Sequence, residues 1–561
     1  MNVPKVIIIA QNQPLDNYAH LRRKMATAES RAQRQSSRFP GLDLYAIQRE
    51  VNRNILKSAL VFDGRYMDLL DLMNYIKNGR RVPELTPADV KQYYSLANTV
   101  TLNGIYLFQY LAEHGFCPIV VQNYSTVDLS DLLREGPLAV CISSNFIYME
   151  DIKDIAVQIK QFAPDVAVIA GGMLVKKALN AGEDLSANSL RFFSTFFGKI
   201  DAFVIEAQGE KTLVKLLQAV SKGEDLSRVP NLGLFDEKGK LVFTPREKEG
   251  TNMDGAAISW DRVPRGYLRK ILPVNSSRGC FYRCRFCTYH WLFPDVLYKS
   301  VDVLREELKL IDGLGFVEHI RFTDDNFTAN RERLKAVLQM MLEENWGFTW
   351  SSFARAGSVT PELVRLMKQS GCEFVDLGLE SGSQTILDNM DKRLRREQSL
   401  SAIEMLNDHG IYGRGSFIVG YPGETQETFS ETIEFIKQSR LPYYHPYLFY
   451  YTANTLVHQM RDEFGMRGLG LAWRHNTMDA AEASDLMSQM VPSIDSSFTD
   501  GQTYVEEIYK LLRGEGYRPD KILELFRLKR ELQLTIKEFG SREPFSPKVE
   551  EVLVKLESLV R

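Results

Sequence analysis

Arg278-Gly279-Cys280-Phe281-Tyr282-Arg283-Cys284-Arg285-Phe286-Cys287 is the stretch on which the reading of this chain turns. It holds three of the six cysteines, while Cys117, Cys141 and Cys372 are scattered. Six cysteines in 561 residues make no disulfide framework, so a crowded trio points to metal or redox chemistry. The Cys-x3-Cys-x2-Cys loop brings three thiolates onto one small inorganic core. Iron–sulfur clusters are normally held by four thiolates, and a set of three leaves one iron without a protein ligand. Zinc is the rival. His290 stands three residues after Cys287, and Cys280, Cys284, Cys287 and His290 would close a Cys3His site.

Working outward, the loop follows an apolar run that starts a regular alternation. Strands are predicted at 271–276, 317–323, 347–354, 373–379, 413–419 and 443–450. Helices fall between them, near 302–314, 330–344, 361–369, 396–409 and 425–438. Six strand–helix units predict a partial (β/α)6 barrel of the TIM type over 251–455, with its chemistry at the strand C-terminal ends. Upstream, strands at 3–10, 118–122, 138–143, 166–170 and 202–205 alternate with helices at 100–114, 149–162 and 211–220. That beat predicts a parallel, doubly wound, Rossmann-like domain over 1–250. It carries a polar insertion at 14–98 and a connector at 221–250, in which an Asp-Glu-Lys-Gly-Lys turn (236–240) separates two short strands. Residues 456–561 read as a mainly helical C-terminal domain. The fold class is α/β.

The chain is 44% hydrophobic and 25% charged, with 69 basic and 72 acidic residues and a net charge of −3. That balance favours no nucleic-acid partner. No apolar run reaches the ~18–20 residues of a membrane span. The N-terminal Val6-Ile7-Ile8-Ile9 run is too short for a signal peptide and reads as a buried strand. A cytoplasmic location is expected.

The cysteine loop resembles that of the radical S-adenosylmethionine superfamily, including the aromatic Phe286 before the last cysteine. The resemblance covers about 271–455 and implies a [4Fe–4S] cluster on Cys280, Cys284 and Cys287. It also implies S-adenosylmethionine contacts at the ends of later strands. Phe286 would lie near the adenine, and Asp324 and Asp325 in Thr323-Asp324-Asp325-Asn326 near the amine. Arg355 would meet the carboxylate, and Glu380 in Gly378-Leu379-Glu380-Ser381-Gly382 the ribose. Ser416 and Gly420 in Gly415–Gly423 would flank the adenine. Read without the resemblance, the acids are helix caps or ion-pair partners and the glycines plain turns.

Residues 99–220 resemble the cobalamin-binding domain often fused ahead of such barrels. The matching loops hold Ser143, Ser144 and Asn145, then Gly171 and Gly172, then Ala207, Gln208, Gly209 and Glu210. The Asp-x-His-x-x-Gly motif of older cobalamin proteins is absent, so the resemblance implies cobalamin without a histidine on its lower face. The layout is similar to that of cobalamin-dependent methyltransferases of natural-product pathways, the P-methyltransferase branch included. It implies methylation of an unactivated carbon or phosphorus centre in a small molecule or peptide. The electron would come from a donor such as flavodoxin or ferredoxin. Tyr447, Tyr450 and His475 are candidate substrate contacts; no catalytic residue is named. Three alternatives stay open: a non-methylating rearrangement, a methylthiotransferase-like reaction, and a zinc-stabilised binding module.

Overall fold

The computed structural model describes residues 3–180, 197–206, 208–250, 252–501, 505–539 and 546–560. β1 (Lys5–Ile9) is Lys-Val-Ile-Ile-Ile, and Val6 through Ile9 are fully buried. A strand apolar on both faces belongs inside a parallel sheet covered on both sides. β2 (Leu60–Phe62) and β3 (Arg65–Met67) form a separate antiparallel hairpin. β4 (Cys117–Val121), β5 (Ala139–Ser143), β6 (Ala167–Gly171) and β7 (Ala202–Val204) join β1 in parallel. The order is β4-β1-β5-β6-β7, continued by β8 (Leu232–Phe235) and β9 (Leu241–Phe243). These last two strands lie in the predicted connector and extend the sheet antiparallel. The chain reverses direction between β1's neighbours β4 and β5. In open α/β sheets that crevice, beyond the strand C-termini, is where ligands bind.

The second sheet is wholly parallel: β10 (Ile271–Val274), β13 (His319–Phe322), β14 (Thr349–Ala354), β15 (Cys372–Glu380), β16 (Tyr412–Val419) and β17 (Tyr443–Leu448). Between its first two strands in sequence lies a short hairpin, β11 (Ser277–Arg278) with β12 (Leu297–Tyr298). Helices Val301–Gly313, Arg331–Glu344, Pro361–Gln369, Arg396–Asp408 and Gln426–Ser439 cover its outer face. Ser300, Asn330, Thr360 and Thr425 start four of them by accepting a backbone N–H, as short polar N-caps do.

Six strands leave the barrel open between β10 and β17. Helix Val505–Gly514 lies against both of these strands and fills the gap. Tyr509 packs on Phe374 and Tyr443, and Arg513 makes two hydrogen bonds, 2.9 and 2.8 Å, to the carboxylate of Glu373. A last hairpin, β18 (Arg467–Leu469) with β19 (Ala472–Arg474), precedes helix Ala480–Ser493.

The sequence sets 14–98 beside the Rossmann-like sheet as an insertion. In space the apolar side chains of its first part, among them Leu44, Val51 and Ile55, join the barrel core, and those of 60–76 join the C-terminal helices. Leu60, Phe62, Leu69, Leu72 and Met73 share one buried cluster with Ile522, Leu525, Phe526, Leu553 and Leu556. Asn54 donates to the Ala481 carbonyl and to Ser484, and Gln533 to the Ser58 carbonyl. No helix among the described residues is long and apolar enough to cross a membrane.

One buried ion pair ties the linker ahead of the barrel to its first helix. Lys299 Nζ stands 2.5 Å from Glu307, their side chains 2% and 1% exposed. Glu307 also accepts from the Ile258 N–H and the Trp260 indole. Lys299→Met leaves the Glu307 charge buried with neutral donors only. The expected cost is about 3–5 kcal/mol, the usual result of removing one partner of a buried pair. Chemical denaturation checks it, and a loss below about 1 kcal/mol contradicts the assignment.

Candidate functional site

Two adjacent carboxylates at the end of β13 shape the cysteine loop. Asp324 is fully buried and accepts from Ser276 N (3.1 Å), Ser276 Oγ (2.8 Å) and Ser277 Oγ. Asp325 accepts from Gly279 N at 2.7 Å. Gly279 has φ +89°, and a Cβ there would stand 2.6 Å from the Asp295 carbonyl oxygen, so the turn admits no side chain. The loop's far half is pinned by Arg285. Its backbone N–H and its guanidinium donate to the Met390 and Asn389 carbonyls, and its own carbonyl accepts from Val457 N.

The three thiols face different donors. Asn326 Nδ2 points at Cys280 Sγ (3.9 Å), Arg355 Nη1 at Cys284 Sγ (3.8 Å), and Tyr289 N at Cys287 Sγ (3.4 Å). Burial pushes the Cys280 thiol up, and that of Cys287 to about 11, with each neighbouring sulfur adding to the rise. Among the described residues no three His, Cys, Asp or Glu side chains converge to hold a single metal ion. The His290 Nδ1 is buried without a hydrogen-bond partner. A cluster spreads its ligands around several metal atoms. The donors offered to each sulfur are what thiolates need.

The other predicted barrel residues divide. Glu380 sits in a β-bulge at φ +69° and accepts from Lys392 Nζ at 2.7 Å, both side chains nearly buried. Lys392 in turn stands 5.6 Å from the Phe286 ring centre. Arg355 lies over the Tyr282 ring at 3.8 Å and meets a sulfur. Asp325 and Ser416 line the large cavity described below; Asp324, with its oxygens taken by the loop, does not. Gly420 is turned away from the cavity. A Cβ on it would stand 2.6 Å from both Ala483 and Trp473, and its carbonyl meets His475 Nε2 at 3.2 Å. His475 is thus a buried packing residue, stacked on Trp473, and burial lowers its pKa to about 4. Tyr450 is 56% exposed on the surface, and only Tyr447 of the three substrate candidates reaches the cavity.

In the Rossmann-like sheet, Ser144 and Asn145 cap helix Met173–Asn180. Ser144 Oγ accepts from Val175 N, and Asn145 Oδ1 from Met173 N. Gly172, at φ +106°, leaves room for both. Ser143 Oγ accepts from Asn103, and Glu210 accepts from the Tyr106 hydroxyl at 3.1 Å. Ser143, Asn145, Gly171, Gly172, Gly209 and Glu210 line the cavity; Ser144 and Gln208 do not, and Ala207 lies outside the described residues.

The cavity is about 1450 Å³. It runs from these strand-end loops to the mouth of the barrel, where Arg278, Tyr289, Thr323 and Asp325 meet it. That exceeds the ~300–1,000 Å³ of an ordinary single-ligand site. Lys392 and the buried group Arg321, Asp376 and Arg414 were not singled out from sequence. The latter three carry no spacing signal, because they come from three separate strands.

The family model of the Radical SAM superfamily matches residues 274–436, the cysteine loop and the barrel. An uncharacterized methyltransferase of Pyrococcus horikoshii is 31% identical over 312 residues, covering 52% of this chain and 68% of the relative. The chain belongs to the radical SAM superfamily. As a radical SAM enzyme it uses a [4Fe–4S] cluster and S-adenosylmethionine. A second relative is an anaerobic magnesium-protoporphyrin IX monomethyl ester cyclase of Rubrivivax gelatinosus. It is 25% identical over 58% of this chain, which spans 60% of that enzyme's length. Two solved structures share the fold of this radical SAM enzyme across 82% of the chain. One is the radical S-adenosylmethionine methyltransferase TsrM of Kitasatospora setae with tryptophan and a cofactor analogue (TM-score 0.55, 15% identity, 97% of that chain). The other is OxsB, described as a cobalamin-dependent S-adenosylmethionine radical enzyme, with aqua-cobalamin bound (TM-score 0.52, 16% identity, 76% of that chain).

Beneath the Gly420 turn, Glu424 is almost wholly buried and accepts from Gly420 N; burial raises its pKa to about 8. A raised carboxyl contributes its stability at low pH, and the contribution is lost as pH rises from the unfolded value through the folded one. Glu424→Gln keeps the acceptor without the charge. Relative to this variant the wild type should lose about 1.4 kcal/mol per pH unit between roughly pH 4.5 and 8. Unfolding curves across that window check it; a constant difference would show that the carboxyl titrates normally.

Proposed function

We propose that the protein is a cobalamin-dependent radical S-adenosylmethionine methyltransferase, acting on an unactivated carbon or phosphorus centre of a small molecule or peptide. The observation that carries the reading is one cavity that runs from the Rossmann-like switch point to Arg278, Tyr289 and Asp325, which flank the cysteine loop; the three cysteines do not line it themselves. When bound, the cluster and S-adenosylmethionine supply a substrate radical and cobalamin supplies the methyl group.

The chain's own groups position these partners. Cys280, Cys284 and Cys287 hold the cluster, with Arg355 and Asn326 offsetting thiolate charge. Asp325, whose carboxyl burial raises to about 6, faces the cavity and receives the amine of S-adenosylmethionine. Glu380, oriented by Lys392, takes the ribose hydroxyls, and Phe286 and Ser416 flank the adenine. Asp324 acts one step back, by fixing the loop. Ser143, Gly171, Gly172, Gly209 and Glu210 form the corrin's cradle. The residues fit that group: small side chains at strand ends allow close approach, and the buried Asn103 Oδ1 has no partner of its own. Electrons come from a donor such as flavodoxin or ferredoxin.

Two experiments test this reading. Replacing Cys280, Cys284 and Cys287 together by Ala should abolish the brown colour, the bound iron and the cleavage of S-adenosylmethionine. Full iron occupancy in that variant would overturn the cluster assignment. The second probe is Leu102→Trp. Leu102 is a half-buried wall residue beside the cradle, and the substitution avoids the strained Gly172. It should weaken cobalamin binding at least about tenfold, ~1.4 kcal/mol, while iron content stays unchanged. A fully active wild type without corrin removes the case for methyl transfer.

A further inference from the structure

The chamber floor carries charges that the proposed cofactors do not use. Arg321 on β13 donates to Asp376 on β15 at 2.6 Å, and Arg414 on β16 donates to the same carboxylate at 2.7 Å. Helix Val505–Gly514 adds Glu506, Glu507 and Lys510, with Lys510 paired to Glu507. Arg321, Arg414, Glu506, Glu507 and Lys510 all line the cavity. Three acids and three bases balance to zero. Paired Asp376 is held ionised below the usual range despite its burial, which on its own would raise it.

The cluster keeps binding capacity of both signs. Arg321 has five N–H donors and spends one on Asp376; Lys510 has three and spends one on Glu507. The Glu506 side chain is 8% exposed. Its Oε2 stands 3.0 Å from Arg414 Nη1 but outside hydrogen-bond alignment, and has no hydrogen-bond partner. Burial pushes the Glu506 carboxyl up, and Arg414 pulls it back toward the ionised form. Beside these groups lie apolar Phe353, Ile271, Pro273 and Leu511.

We propose that this floor binds the head group of an amino-acid-like substrate, its ammonium on Glu506 and Glu507 and its carboxylate on Arg321 and Lys510. An ion of one sign would leave a buried net charge, which is costly in a desolvated site. A zwitterion leaves the floor neutral and meets the spare donors and acceptors together. Its side chain then lies along the apolar wall. The inference deepens the methyltransferase reading and rests on the chamber being its substrate site.

The test uses the full-length protein, reconstituted anaerobically with iron, sulfide and cobalamin. The probes are the proteinogenic L-amino acids, with the decarboxylated amine and the deaminated acid of any that bind. Calorimetric titration should find at least one amino acid that binds, with its amine and acid counterparts each at least about tenfold weaker. Glu506→Gln should weaken the amino acid about tenfold and leave the deaminated acid within about a factor of two. The wild-type comparison stands even if that variant misfolds. The proposal is overturned if no amino acid binds, or if the single-charge counterparts bind as well. Cleavage of S-adenosylmethionine with a chemical reductant is read in parallel. Cleavage and corrin binding without amino-acid binding sink this inference alone. Amino-acid binding without either sinks the methyltransferase reading and leaves the subsite standing.

Discussion

The six-stranded parallel sheet does not close on itself, because β10 and β17 do not pair with each other, and its open side must be covered by something else in the chain. Here the cover is helix Val505–Gly514, fixed by the bidentate Arg513–Glu373 pair and by Tyr509 against Phe374 and Tyr443. Much of the rest depends on this contact. It seals the apolar interior between β10 and β17. It also turns three charged side chains into the chamber, so the wall that completes the core completes the site as well. An apolar wall would have served the core alone.

The acids at the end of β13 divide their labour by burial. Asp324 sees no cavity and meets three donors from Ser276 and Ser277. Asp325, one residue on, holds Gly279 and still faces the chamber. Both residues lie in the turn after β13, and the turn directs one side chain under the loop and the next to the chamber. The same economy holds at Ser143 and Ser144, one on the cavity and the next on a helix cap.

The barrel was legible because its signals are local. Strand and helix periods repeat six times, and the predicted strands at 347–354, 413–419 and 443–450 differ from the observed ones by a residue or two at their ends. The cysteine spacing is likewise contained in one loop. What escaped was non-local. β8 and β9 were legible as two short strands around the 236–240 turn, but only the pairing of β8 with β7 makes them part of the sheet. Lys392 meets Glu380 across a bulge, and Arg321, Asp376 and Arg414 come from three separate strands. Gly420 and His475 followed motif position, but burial against Trp473 decides what they touch.

The β2–β3 hairpin and helix Leu69–Lys77 share a core with helices Pro519–Phe539 and Pro547–Glu557. Arg80 pairs with Glu557 across a sequence separation of 477 residues. A ribosome makes the first of these segments long before the last. The hairpin and helix Leu69–Lys77 therefore emerge with apolar faces whose partners are made more than 400 residues later. Domains tend to fold in order of emergence, and exposed apolar surface invites aggregation in the interval. For this chain that hairpin and helix are the surface a chaperone would cover in the interval.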